Sequence, residues 1–295
     1  MHRSGTSAIT RLLNLMGCSL GPEHAVAEPA HDNTAGFWER LDVRRTNDRL
    51  LAALGRSWLD CLEPDFEQLV PSEVKEFQWS ARKILGELRS AGTWAVKDPR
   101  FCLTFPVWKP FLENPVCVFV HRDPLASALS LQQRNGLRLP VGLALWEHYN
   151  LSALRASTDL PRAIISYERF TREPEAATKE LLEQLQQLGV KQLTLPSQKD
   201  LLTFVNPSLD HHGSGELLAE QQTPGDAILQ LAASLRDRSA LRTSAPALSE
   251  PSAALLTKLS GQWPGQTWIT RLLRERDAQV AQLEQQLKEA RGESS

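Results

Sequence analysis

Residues 8–16, "AITRLLNLM", place Ile9, Leu12, Leu13 and Met16 at helical spacing, with Gly17 as a stop signal. A second helix follows from Val43, Leu50, Leu51 and Leu54 in "NTAGFWERLDVRRTNDRLLAALG", and a third over 72–91 from Phe77, Trp79, Ile84 and Leu88. The period then changes. "TWAVKD", "PVCVFVHRD" and "RAIISYERF" are short apolar runs of the kind that form buried strands, and the first two end in charged residues. Helical patterns recur at 124–134, at 140–157 with Trp146 and Tyr149, and at 173–188. Alternating strands and helices predict an α/β fold, a parallel sheet flanked by helices, with ligands held at the carboxyl edge of the strands.

Beyond residue 213 the pattern weakens. Ser, Ala, Pro and Gln dominate 213–265, which reads as a linker with short, weak helices. In 266–292 Leu273, Val280, Leu283 and Leu287 recur at heptad positions, a short coiled-coil candidate suited to self- or partner association. The division expected is a domain over 1–212, the linker, and a C-terminal helical tail.

Composition narrows the function classes. The 295-residue chain is 41% hydrophobic and 23% charged, with a net charge of -2, so nothing draws it as a whole toward nucleic acid or an anionic membrane. No apolar run reaches the roughly 18–20 residues of a membrane span. Cys18, Cys61, Cys102 and Cys117 are scattered without metal-ligand spacing, which fits reduced thiols in the cytoplasm and no metal site.

Two stretches carry anion chemistry. In "RSGTS" (3–7), Arg3 offers a fork of N–H donors, Ser4, Thr6 and Ser7 offer hydroxyls, and Gly5 permits close backbone approach, all directly before a helix N-terminus. The alternative is a Ser/Thr-capped helix beside an exposed arginine. In "CVFVHRDPLASALSLQQR" a strand ends at Arg122, Asp123 is placed to cap the next helix, Pro124 suits its first position, and Ser130 lies two turns along. Arg122 and Ser130 are spaced to grip one phosphate; the alternative is an ordinary strand–helix corner.

Together the two stretches are similar to the motifs of sulfotransferases. "HRSGTS" resembles their 5′-phosphosulfate loop and "RDPLASALS" their 3′-phosphate motif, while "NTAGFWE", "VKDPRFCLTFPVW", "LWEHYN" and "SYERF" fall in the order of the bacterial members. The resemblance covers about residues 1–212. It implies a P-loop-like fold and 3′-phosphoadenosine 5′-phosphosulfate (PAPS) as sulfuryl donor, bound by Arg3, Ser4, Gly5, Thr6, Ser7, Arg122 and Ser130, without a metal. Many relatives carry a lysine in the first loop; here Arg3 occupies that place, an arginine shared with the tyrosylprotein and many bacterial members. Glu39 is the implied general base, with Glu28, His31 and Asp32 as rivals, and Lys97 the implied second cation on the leaving group. A structural pair of Lys97 with Asp98 is the alternative, and Arg100 suits either role. Tyr167 and Glu168 read as structural corner residues, and His211 and His212 as surface or structural ones.

The expected activity is sulfuryl transfer to a hydroxyl acceptor, by analogy a glycan. The competing readings are a catalytically inactive nucleotide-binding scaffold of the same fold, or a P-loop nucleotide kinase. The resemblance also implies an apolar strand ahead of the first loop, where this sequence has only Met1 and His2. The expectation is that the true start lies upstream, against a genuinely shortened product.

Overall fold

A computed structural model describes residues 1–22, 25, 36, 38–62, 64–204 and 223–262. The coiled-coil candidate, the rival bases Glu28, His31 and Asp32, and His211 and His212 lie outside the described residues.

The chain runs through α1 (Thr6–Leu15), α2 (Leu41–Ala53), α3 (Pro71–Arg89), α4 (Phe101–Trp108), β1 (Cys117–His121), α5 (Pro124–Asn135), α6 (Leu139–Ala156), β2 (Arg162–Ser166), α7 (Tyr167–Arg172), α8 (Pro174–Gln187), α9 (Gln198–Phe204), α10 (Asp226–Arg236) and α11 (Glu250–Gln262). Among the described residues none of these helices is long and apolar enough to cross a membrane.

The architecture is mixed α/β: a two-stranded parallel sheet flanked by helices. β1 pairs with β2 from Cys117↔Arg162 to His121↔Ser166. Successive side chains of a strand point to opposite faces, and here both faces are buried. Phe119 and Ile164 join a core with Leu131 of α5 and Leu145 and Trp146 of α6; Ala163 and Ile165 join another with Ile9 and Leu12 of α1 and Leu181 and Leu185 of α8. A third core, around Val43, Phe77, Leu88 and Trp108, ties α2 to α3 and α4.

Two expectations are corrected. "TWAVKD" forms no strand: it makes one parallel bridge, Trp94 with Ser19, closed by Ala95 N–H donating to the Ser19 carbonyl at 2.9 Å. Residues 93–99 and 115–120 line the same apolar cavity of about 670 Å³, and among the described residues no ladder joins the 94–98 run to β1. An apolar run becomes a strand only when its backbone finds a partner.

The stretch 223–262, expected as part of a linker with short, weak helices, carries two helices, α10 and α11, but packs them against α6. Ile228, Leu231 and Leu235, at one-turn and two-turn spacing, bury with Leu256 in the core of β1, α5 and α6. Glu147 of α6, 1% exposed, accepts hydrogen bonds from the Ser249 N–H (2.9 Å), the Ser249 hydroxyl (2.8 Å) and the Ser252 hydroxyl, which fastens the start of α11 to α6.

Candidate functional site

β1 delivers Arg122 to its carboxyl end. The Asp123 side chain accepts from the Ala126 N–H at 2.9 Å and Pro124 fills the first helical position, so the chain turns sharply into α5. Glu168, after β2, accepts from the Asp123 N–H at 2.7 Å and from the Ser166 hydroxyl at 3.0 Å, tying the two strand ends together. The indole N–H of Trp146 donates to the Arg122 carbonyl at 3.1 Å. Two turns along α5, Ser130 is buried.

The turn before α1 folds onto this corner. Arg3 Nε donates to Ser130 Oγ at 2.9 Å across 127 residues of sequence, and an Arg122 N–H donates to the Arg3 carbonyl at 2.8 Å. Arg3 and Gly5 both take left-handed backbone conformations, φ 62° and 78°. At Gly5 the absence of a side chain is required: a Cβ there would stand 2.1 Å from Cδ2 of Tyr167. The Tyr167 ring thus lies against the turn, and the Arg122 guanidinium sits 4.9 Å from its centroid.

Thr6 opens α1 behind Gly5, which has no side chain to cap it, and among the described residues no side-chain cap is made to its first N–H groups. Those groups and the helix dipole favour an anion. Ser4, 2% exposed, holds a buried hydroxyl oxygen without a hydrogen-bond partner beside the same turn.

A third segment completes the site. Lys97 Nζ donates to Ser7 Oγ at 3.2 Å and to Glu39 Oε1 at 2.6 Å. Both side chains of the Lys97–Glu39 pair are 11% exposed. Burial lowers the pKa of Lys97, and Glu39 opposes that fall by favouring the ammonium form. Lys97 thus pairs directly with Glu39, while Asp98, the partner in the structural alternative, favours the ammonium form through its nearby charge. Asp98 instead accepts from Arg100, and Arg100 also donates to Asp48 at 2.6 Å. That network ties Arg100 to the 97–100 segment and to α2.

No protein-family model, curated protein or solved structure matches this chain. Arg3, Ser4, Gly5, Thr6, Ser7, Arg122, Ser130, Lys97 and Glu39 come from four separate stretches and meet in one region. Three cationic side chains and a helix N-terminus form an anion seat, and a carboxylate stands at its edge. The adjoining cavity is lined mainly by apolar groups such as Ile9, Leu13, Val96, Val118 and Leu185, with Thr6, Lys97 and Asp98 also on its wall. Its apolar body is unsuited to an anion, whereas the turn offers cations and N–H donors.

Tyr167 and Trp146 have closer relations to the site than their sequence reading gave them. Tyr167 directly follows β2 and so stands at the same sheet edge as Arg122, a placement that was available from the strand prediction. Nothing in the sequence pointed to the Trp146 hydrogen bond with the Arg122 carbonyl.

Proposed function

We propose that this chain is a PAPS-dependent sulfotransferase with a P-loop-like α/β fold, moving a sulfuryl group to a hydroxyl acceptor, a glycan hydroxyl by analogy. The observation that carries the reading is the direct contact between its two anion stretches: Arg3 bonded to Ser130, with Arg122 bonded to the Arg3 carbonyl. A ligand with phosphate at both ends of a nucleoside, one of them sulfated, has the charge distribution that such a paired seat fits.

In this reading the turn 3–7 and the first N–H groups of α1 hold the 5′-phosphosulfate, and Arg122 with Ser130 holds the 3′-phosphate. The acceptor oxygen attacks sulfur in line while the bond from sulfur to the bridging oxygen breaks. Negative charge grows on that bridging oxygen, and 3′,5′-bisphosphoadenosine leaves. Arg3 and Lys97 stabilise the growing charge from fixed positions, which is where preorganised cations contribute most. Glu39 takes the acceptor's proton. Incoming phosphosulfate competes with Glu39 for Lys97, and drawing the ammonium toward the donor leaves the carboxylate oxygen open to that proton.

The test is transfer of ³⁵S from labelled PAPS to a panel of glycans, tyrosyl peptides and phenols. Label on an acceptor, lost in Glu39→Gln and in Arg3→Ala with the fold retained, supports the reading. Absence of both transferred label and released bisphosphoadenosine overturns it.

A further inference from the structure

Asn47 lies on α2, two turns beyond Glu39, and is fully buried. Its amide group is used on both sides. The side-chain oxygen accepts from the Thr104 hydroxyl and from the Trp108 indole N–H, each at 2.8 Å, which holds α4 against α2. The side-chain nitrogen donates to Asp98 Oδ2 at 3.1 Å. The other oxygen of Asp98 accepts from the Arg100 backbone N–H at 2.9 Å and from its guanidinium at 3.0 Å. Asp98 is thus gripped from both ends, in a segment with no strand ladder to fix it.

Lys97 is the residue immediately before. Its ammonium must reach Ser7 on α1 and Glu39 at the start of α2 together, and the 97–98 backbone sets where its stem begins. We infer that Asn47 is a positioning residue: through Asp98 it holds Lys97 between the anion turn and Glu39. The inference takes its chemical meaning from the sulfotransferase reading, while the geometry is measurable without any nucleotide.

A purely structural role belongs to the oxygen side of Asn47 and a positioning role to the nitrogen side, so the two separate by substitution. Asn47→Asp keeps an acceptor for Thr104 and Trp108 and sets a carboxylate against Asp98. Thr104→Val removes a bond on the structural side alone. The exchange Asn47→Asp/Asp98→Asn restores the hydrogen bond with donor and acceptor reversed and the total charge unchanged.

The readout is the side-chain ¹⁵Nζ ammonium resonance of Lys97 in the full chain without nucleotide, assigned by its loss in Lys97→Arg. We expect the protected resonance to be lost in Asn47→Asp, kept in Thr104→Val and restored by the exchange. Titration of 3′,5′-bisphosphoadenosine into the same samples should show affinity weakened roughly tenfold in Asn47→Asp alone. A folded Asn47→Asp protein that keeps the resonance, or its equal loss in Thr104→Val, overturns the inference. If Asn47→Asp does not fold, the exchange decides: a native Lys97 resonance supports the inference, and its absence or a failure to fold overturns it. Bisphosphoadenosine that binds no protein in the set counts against the sulfotransferase reading and leaves the Lys97 result standing.

Discussion

Two places in this molecule present charge at the end of an extended run, and they are built differently. At residues 121–123 the run is a true strand: β1 is laddered to β2, and Asp123 and Pro124 start α5 at once. At residues 94–98 the ladder is a single bridge, and a side-chain network of buried Asn47, Asp98 and Arg100 with half-buried Asp48 sets the position of Lys97. One end is held by backbone rules spread over many small contacts. The other is held by a few buried polar groups, each of which leaves partners stranded when removed.

The largest expected effect is therefore at Asp98. Its side chain is fully buried, and Asp98→Ala leaves Arg100 and Asn47 short of an acceptor, at about 3–5 kcal/mol. Urea unfolding should show that loss, with Asp98→Asn costing less. Equal and small losses in both would mean that the network contributes little.

That same contrast decides what the sequence made legible. Helices α1, α3, α5, α6 and α8 follow from apolar periodicity and caps, and β1 and β2 from apolar runs that do find partners. Residues 94–98 look the same in sequence, because composition cannot say whether a second strand lies alongside. Helix α4 has no clear signal in the sequence: "FCLTFPVW" carries Pro106 inside it and no capping residue. Residues 223–262 look poor in bulky side chains for a core, yet Ile228, Leu231 and Leu235 at helical spacing, joined by Leu256 of α11, are enough. In the candidate site, residue types were readable and partnerships were not. Lys97 and Glu39 are 58 positions apart, and nothing local announces that they meet.

The next effect in size sharpens the comparison at the point where the first turn meets the sheet. Gly5→Ala puts a Cβ into the Tyr167 ring and into a left-handed backbone, at about 2–4 kcal/mol. Urea unfolding should register the loss, and binding of bisphosphoadenosine should weaken with it. Native stability would show that the turn can move off Tyr167.

At the β1 corner a single change should be milder. Asp123→Ala removes the α5 cap and leaves the β1–β2 ladder intact, so about 1 kcal/mol is expected. A loss as large as that of Asp98→Ala would erase the distinction between the two ends.

The smallest effect is a pH dependence. Burial first, and then the cations Arg100, the amino terminus and Lys97, push the pKa of His2 well below its ordinary 6.5. Burial also lowers His121, which Glu168 partly opposes. Because both imidazoles gain their charge at lower pH in the folded protein than in the unfolded chain, the unfolded chain takes up more protons below about pH 6.5, so their contribution to stability falls as pH drops through that range. His2→Gln should shallow the fall seen by urea unfolding between pH 7 and 5, and an unchanged slope would remove His2 from the account.

The central claim is that the first turn and the β1–α5 corner form one seat for a bisphosphorylated nucleoside. Calorimetric titration with 3′,5′-bisphosphoadenosine, set against ATP with magnesium, tests it most directly. The account predicts binding of bisphosphoadenosine without metal, weakened at least roughly tenfold by Arg122→Ala, the size of about 1.4 kcal/mol. Tighter binding of magnesium-ATP, or affinity for bisphosphoadenosine that Arg122→Ala leaves unchanged, would contradict it.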